Sequence, residues 1–509
     1  MKKYLLLISL ISSSLLMAQT PEDALRTAWY TQNGSGRNTA TGGVMGSLGG
    51  DITANHVNPA GLGLFKTNEF LLSGGMHLNN NKFNYRGTDT TANKNAFNYG
   101  ASGLILSSSP NYKTKWTSSA FAISVNQIAN YNNRIQFKGF NNFSSFSEKY
   151  LEELIRDRAD TNAALSNYIF GSSLAFRTYL IDTIRGAGGS VAGYQSLVPI
   201  SSGVNQSYDA ITSGGFHEIA VGVAGNMADK MYVGGSLVIP VINYTRELTY
   251  SEKDPTNNVN NEFSSFEFKE KFSSRGIGLG LKMGMIYKPQ DFWRIGFAFH
   301  TPQLIGYKDE VRASMITNTE KYAGIVSENS DALNSGNPGK GEYNLITPYR
   351  AIISASYVFR EVKDTRRQRA FLSADLEYVN YRGARYSTID KNNTALVQYY
   401  QLVNEEIKDY YRGNFNFRVG GELKFNVWMV RLGGGYYGSP YADHLLKADR
   451  IVASGGLGYR NHGMFIDLSY SHAFQKDVQF AYRLNDKPNT FANQLGSRGT
   501  LMMTLGIKF

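Results

Sequence analysis

The chain contains no cysteine. This excludes a lipoprotein anchor, a disulfide framework and a thiolate metal site. Beyond the first twenty residues no stretch approaches the roughly 18 consecutive apolar residues of a membrane-spanning helix, so a helical membrane protein is excluded too. The net charge of +11 is spread along the chain without a block of Lys or Arg, which leaves a nucleic-acid role without support. Basic loops meeting lipopolysaccharide phosphates and a merely solvated surface both fit that spread. The seven His residues are scattered. None has the His-Glu-x-x-His spacing and no Gly-x-Ser-x-Gly elbow occurs, so neither an enzyme nor a metal site is expected. Proline is scarce, with 12 in 509 residues.

The amino terminus has Lys2 and Lys3, an apolar run from Tyr4 to Met17 broken only by serines, then Ala18. That pattern is a secretory signal peptide, residues 1–18, with cleavage after Ala18. Leu16 is large for its place, which keeps a site one or two residues away open. Aromatics make up 13% of the chain, with 33 Tyr and 29 Phe, and there are 52 Gly. Composition alone fits a membrane barrel with aromatic girdles and a soluble all-β protein equally well.

Alternation separates the two. A wall between lipid and a polar lumen imposes a period of two, because successive strand side chains point to opposite faces. In the last strand Leu501, Met503, Leu505, Ile507 and Phe509 share one face; Thr500, Thr504, Gly506 and Lys508 share the other, with Met502 an apolar intruder. Ile277 to Tyr287 alternate with Gly276, Gly278, Gly280, Lys282 and Gly284, Ile286 being the exception, and Phe415 to Phe425 alternate with Asn416, Arg418, Glu422 and Lys424. Such runs predict strands at 68–79, 96–108, 115–131, 214–226, 231–250, 264–288, 292–300, 345–359, 369–382, 412–425, 428–437, 449–460, 463–475 and 498–509. The strand at 231–250 is interrupted by Pro240. Short links at 226–231, 288–291, 426–427 and 460–463, with slightly longer ones at 109–113 and 361–368, alternate with long ones at 79–96, 132–213, 251–263, 301–344, 383–411, 438–448 and 476–497. Short periplasmic turns and long outer loops are the mark of an outer-membrane barrel. The expectation is an all-β fold, a transmembrane antiparallel β-barrel of about 14 strands, with partly helical extracellular loops and its barrel domain at 68–509.

Residues 19–67 precede it and carry Gly42, Gly43, Gly46, Gly49 and Gly50, then Asn58-Pro59-Ala60-Gly61-Leu62. Trp29, Tyr30, Val44, Met45, Leu48 and Ile52 supply enough apolar surface to pack, and the barrel interior is the obvious place. Here the chain resembles the FadL/TodX family of outer-membrane transport proteins. The resemblance runs through Arg37 to Gly50, His56 to Leu62 with its Asn-Pro-Ala motif, Arg294 to Pro302, Thr347-Pro348-Tyr349-Arg350 and Ser373 to Tyr378. It implies a 14-stranded barrel with an amino-terminal plug, or hatch, at 19–67. It also implies passive uptake of hydrophobic compounds, such as long-chain fatty acids or aromatic hydrocarbons. Ligand would be caught by apolar outer loops, pass to a pocket above the hatch and leave sideways through the wall, without any cofactor. The chain is expected to work as a monomer.

The hatch motif is Asn58, Pro59, Ala60 and Gly61, with Asn58 expected to fix the bend between hatch and barrel, since Asn-Pro starts turns. Ser145-Phe146-Ser147-Glu148 resembles a capping box. Phe146, Tyr150 and Leu154, then Phe170, and in the next helical loop Tyr399 and Tyr400, are candidates for hydrophobic capture; packing the loops onto one another serves those faces equally well. Inferred luminal charges include Lys282, Arg294, Arg350, Asp375, Glu377, Arg418, Glu422, Arg431 and Asp467. Paired networks holding plug to wall are one reading. The other is a cation for a ligand carboxylate, for which Arg350 and then Lys282 are the candidates. A docking or shuttle role for secreted proteins, with the outer loops holding a protein partner, is the rival function.

Overall fold

The computed structural model describes residues 20–109, 114–186, 189–256, 258–359, 369–444, 446 and 448–509. Among them one antiparallel sheet closes on itself, its first strand pairing with its last from Glu69↔Lys508 to Asn84↔Asn493. The closed barrel has fourteen strands. They are β1 (Glu69–Tyr85), β2 (Thr88–Tyr99 and Ser102–Ser108), β3 (Trp116–Asn130 and Asn133–Asn141), β4 (Val204–Met227), β5 (Met231–Lys253), β6 (Ser265–Gln290) and β7 (Trp293–His300 and Leu304–Asn318). There follow β8 (Gly339–Ile346 and Arg350–Phe359), β9 (Ala370–Asn380 and Arg385–Thr388), β10 (Gly413–Phe425), β11 (Trp428–Tyr437), β12 (Arg450–Asn461), β13 (Met464–Gln479) and β14 (Ala492–Lys508). Short helices α1 (Pro21–Arg26), α2 (Gly36–Ala40) and α3 (Ala54–Val57) and a 3-10 turn (Pro59–Leu64) lie inside the barrel. The outer connections carry α4 (Glu148–Arg156), α5 (Thr161–Ser166), α6 (Ser172–Arg177), α7 (Ser330–Leu333) and α8 (Thr394–Tyr410).

The alternation seen in the sequence is the two faces of this wall. Ile277, Leu279, Leu281, Met283, Met285 and Tyr287 all point outward from β6 and are exposed, a run of the length that crosses a bilayer as a tilted strand. Further along the same outer face Lys271 pairs with Glu247 at 3.0 Å and Lys269 with Glu267 at 2.7 Å. Charge replaces lipid-facing apolar surface there, so the upper wall stands in water. The two apolar exceptions face inward: Ile286 packs against Ala60 and Tyr232, and Met502 is fully buried. Both touch protein rather than open lumen, so neither breaks the pattern for a physical reason.

The strands outrun their expected ends on the extracellular side. The expected outer loop at 79–96 is strand: β1 and β2 continue to a tight turn at Arg86 and Gly87, whose φ angles are 49° and 83°. Likewise β7 and β8 extend into 301–344, β3 and β4 into 132–213, and β13 and β14 into 476–497. Above the membrane the outer face of the wall is polar and the buried inner face carries polar side chains such as Asn79 and Asn81 as well, so the sequence loses the apolar alternation by which strands are recognised. The expected single strand 96–108 is broken at Gly100-Ala101, and β5 runs unbroken through Pro240. Proline lacks an N–H, and the β5–β6 ladder skips it, passing from Val241↔Ile277 to Val238↔Gly280. The periplasmic turns use left-handed residues as expected of tight hairpins, Asn426 at φ 53° and His462 at 47°. Most of the links at 109–113 and 361–368, and the signal peptide, lie outside the described residues.

Candidate functional site

The segment before β1 fills the lumen in two parts. Residues 34–65 form a compact plug. Ser35 caps α2 by accepting from the Asn38 N–H, and its hydroxyl donates to Asp51 at 2.6 Å. Asp51 also accepts from the Thr53 N–H at 2.9 Å. Asn58 lies at the start of the 3-10 turn: its side-chain carbonyl accepts from the Ala60 N–H at 3.1 Å, and its amide donates to Gly46 of the plug and to Met285 and Phe297 of the wall. Pro59, Ala60 and Gly61 follow in the buried 3-10 turn. The wall is glycine where plug backbone meets it. A Cβ on Gly284 would lie 1.7 Å from the Asn58 Oδ1, and one on Gly420 would lie 2.0 Å from the Thr41 carbonyl oxygen.

Charge completes the fastening. Asp375 accepts from the Met45 and Gly46 N–H groups at 3.0 and 3.1 Å. Lys282 donates to the His56 carbonyl at 2.8 Å and to Glu218, which also holds the His56 ring at 2.8 Å. Arg350 donates to Glu377 at 3.1 Å and to the Ala28 carbonyl, and lies 4.1 Å over the Tyr30 ring. Glu377 is shared with Arg418 at 2.8 Å and Asn416 at 3.0 Å. Arg431 bridges Glu422 and Asp467, each at 2.6 Å, and the Arg294 guanidinium donates to the Leu48 carbonyl at 2.9 Å. The two cations singled out in the sequence, Arg350 and Lys282, are therefore both neutralised by wall carboxylates and tied to backbone of the amino-terminal segment, at Ala28 and His56 respectively.

Residues 20–33 form a strap that climbs from the plug to the extracellular side. Leu25 and Ala28 pack in one apolar cluster with Tyr400, Val403 and Ile407 of α8, and the Tyr386 hydroxyl donates to the Thr20 carbonyl at 3.2 Å. Between the strap and the inner wall, from β11 through β14 and on from β1 to β5, lies a cavity of about 670 Å³. It reaches from Phe480 and Arg483 in the outer connection after β13 down to Asn33, Asn98 and Gln127.

At that lower end the wall changes character. The upper segment of β2 is laddered to β1 through Tyr99, and the lower segment pairs with β3 from Ser102↔Val125 downward. Among the described residues no main-chain ladder joins the upper segment of β2 to β3. Side chains close the gap instead. The Asn33 amide donates to the carbonyls of Tyr99 and Gln127, both at 2.8 Å; Gln127 accepts from the Tyr99 N–H at 3.0 Å; Asn130 donates to the Phe97 carbonyl at 2.8 Å. Tyr99 and Phe97 stack edge to face at 4.8 Å on the outside of the seam.

The loop residues proposed for capture face inward. Phe146, Tyr150 and Leu154 are buried with Tyr250, Phe266 and Phe268, the Phe146 ring stacking on Tyr250 at 4.4 Å. Phe170 packs between two apolar clusters, Tyr400 is buried beside Tyr343 and Tyr386, and half-buried Tyr399 stacks edge to face on Tyr400 at 5.3 Å. The apolar side chains these helices do expose are Ile155, Leu402 and Tyr410. The capping box is only half formed: Glu148 accepts from the Ser145 N–H at 2.9 Å, while the Ser145 hydroxyl is drawn away to Glu252 at 2.6 Å. Lys149 spreads its amine over the Phe146 ring at 3.6 Å, and burial pushes that amine down to about 8.

No protein-family model and no curated protein sequence matches the chain. Solved structures do. A FadL homologue of Pseudomonas aeruginosa superposes with a TM-score of 0.54 at 13% identity, over 94% of this chain and 99% of that one. The toluene transporter TodX of Pseudomonas putida gives 0.50 at 13% identity over 95% and 100%, and the toluene transporter TbuX of Ralstonia pickettii gives 0.50 at 14% over 94% and 99%. At such identity the likeness is one of fold: a FadL/TodX-type barrel of the bacterial outer membrane with its amino-terminal segment inside.

Proposed function

We propose that this protein is a passive outer-membrane channel for hydrophobic compounds such as long-chain fatty acids or aromatic hydrocarbons. Ligand enters beneath the outer loops, occupies the cavity beside the strap and leaves into the membrane through the seam between β2 and β3. The exposed Ile155, Leu402 and Tyr410 offer the first apolar contacts, and basic side chains on the upper wall face lipopolysaccharide.

The seam is the observation that carries this reading. A straight path through the barrel is blocked by a plug fastened with buried ion pairs and glycine contacts. The cavity ends instead where the wall lacks its ladder and is held by three amide side chains through four hydrogen bonds. In hydrocarbon an unsatisfied backbone group costs several kcal/mol, so a wall strand without a ladder is tolerated only where other donors and acceptors serve it.

The natural chain has no cysteine, so Tyr99→Cys with Gln127→Cys gives one defined pair across the seam. Bridging it with a short bis-maleimide should abolish uptake of labelled oleate or toluene into reconstituted liposomes, while the unbridged variant transports. Equal uptake with the seam bridged would remove the lateral route. Should the wild-type protein admit no hydrophobic compound while a secreted protein co-purifies with its outer loops, the channel reading falls to the docking one.

A further inference from the structure

The outer face of the wall carries a pair of cations remote from plug, strap and cavity. Lys82 of β1 and Lys476 of β13 flank one residue, Leu495 of β14, which is the strand partner of both. Adjacent strands lie about 4.8 Å apart, so the two lysines stand about 10 Å apart along one row. All three side chains point out of the barrel and are exposed, Leu495 at 59%. Asn80, Ser497 and Phe474 occupy the row below on the same strands.

Neither lysine forms an ion pair among the described residues. Asp449 meets Lys476 through its main chain, its carbonyl accepting from the Lys476 N–H at 3.5 Å. Asp89, one row higher on β2, accepts from the Asn84 amide at 2.6 Å. On the far wall, by contrast, Lys269, Lys271 and Lys308 have carboxylates at 2.7, 3.0 and 2.9 Å.

Height supplies the second argument. About twelve residues separate Lys82 from Phe70 and Lys476 from Met464, the exposed apolar side chains at the periplasmic edge of the belt. At about 3.3 Å per residue and a tilt of about 40°, that is a climb of about 30 Å, against an apolar band about 25 Å tall. The ammonium groups therefore stand just above the hydrocarbon, at headgroup level, with exposed Leu78, Leu501 and Phe474 beneath them. An exposed leucine between two unmatched cations suits the junction of an anionic amphiphile, where charge and carbon skeleton meet.

We infer that Lys82, Leu495 and Lys476 seat one phosphorylated glycolipid of the outer leaflet. Its phosphate lies at the ammonium groups, and its acyl chains run down past Leu78 and Leu501. This seat rests on the lipopolysaccharide contact proposed above, gives it a place on the wall, and is independent of what the lumen carries.

The test is native mass spectrometry of the full barrel released from detergent micelles, titrated with bisphosphorylated lipid A and with its dephosphorylated form. A lysine at a membrane surface is worth about fivefold in binding an anionic lipid, so two should favour the phosphorylated form about 25-fold. Lys82→Gln and Lys476→Gln should each lower that preference about fivefold and together abolish it, with the dephosphorylated lipid bound as before. Leu495→Asn should weaken both forms alike. Lys271→Gln, on the far wall and matched by Glu247, should change neither. Heat-modifiable gel mobility reports that each variant barrel is folded. Equal binding of the two forms, or a preference that survives the double variant, overturns the seat. Phosphatidylglycerol bound as tightly as lipid A overturns it too, making the pair a general contact for anionic lipid. Uptake into liposomes lacking the glycolipid reads the channel separately, so the seat can fall while the channel stands.

Discussion

Glu377 is the point at which the strap's anchorage can be tested with one atom changed. Its two oxygens serve Arg350 at 3.1 Å, Arg418 at 2.8 Å and Asn416 at 3.0 Å, all buried in the lumen. Glu377→Gln keeps the shape and removes the charge. Arg418 retains Asp375 at 3.7 Å, so the uncompensated cation is Arg350, whose other contacts are the Ala28 carbonyl and the Tyr30 ring. Removing one partner of a buried pair costs about 3–5 kcal/mol. That cost falls on the strap and not on the barrel, because the β8–β9 ladder from Arg350↔Val379 to Phe359↔Ala370 is unaffected. Amide exchange in residues 27–33 should therefore accelerate by roughly 100- to several-thousand-fold while exchange in the barrel strands stays put. Glu377→Gln with Arg350→Gln removes the orphaned charge as well and should recover most of the protection, a coupling that a double-mutant cycle measures. Unchanged strap exchange in the single variant, or a double variant worse than the two singles combined, would refute the assignment of Arg350 to anchorage.

Gly420→Val places a side chain on the Thr41 backbone at a position where a Cβ alone would sit 2.0 Å from a carbonyl oxygen. The plug should be displaced at a cost of about 1–3 kcal/mol or more, seen as ion conductance in planar bilayers through a barrel that still shows heat-modifiable mobility; a silent bilayer would count against the close fit. Lys149 tests the packing of the outer loop. Its folded value lies below that of a free lysine, so between about 8 and the ordinary lysine range the undocked loop binds more protons than the docked one. Docking of α4 is then strongest above that range, weakens as pH falls toward about 8 and is flat below, and competitive acetylation should give Lys149 a midpoint near 8; a midpoint like that of exposed lysines would show that the amine is not buried under the loop.

How much of this was legible in the sequence depends on which solvent each face meets. Where lipid lies outside and protein or water inside, as from Ile277 to Tyr287 and Leu501 to Ile507, alternation is enforced by transfer energetics and the strands are plain. Above the membrane the same strands continue through Asn79-Asn80-Asn81-Lys82 and Lys269-Glu270-Lys271, where inward and outward side chains are alike polar and nothing in the pattern distinguishes strand from loop. The hatch motif was legible because Asn-Pro chemistry acts locally. The roles of the luminal charges were not, since pairing is set by neighbours far apart in sequence: Glu377 is 27 residues from Arg350 and 41 from Arg418. One signal was present and passed over. Inward positions in the wall that carry glycine, such as Gly296, Gly420 and Gly433, mark where plug backbone touches.

The amide side chains at the seam bear on the proposed lateral route. Opening a laddered pair of strands in the membrane would strand several backbone groups at once, at several kcal/mol each. Between β2 and β3 the same groups are served by Asn33, Gln127 and Asn130, and each such bond contributes only about 1 kcal/mol net. The amides can be withdrawn singly, and the exposed backbone groups find water from the polar cavity directly behind them. Asn33 differs from the other two in belonging to the strap, where it bonds both edges of the seam while the N–H of its neighbour Gln32 donates to the Tyr437 hydroxyl oxygen at 3.0 Å. A ligand that shifts the strap thus removes two seam bonds together, one from each edge. Strap and seam are thus joined through the Asn33 side chain, the coupling that the proposed channel would need in order to open only when occupied.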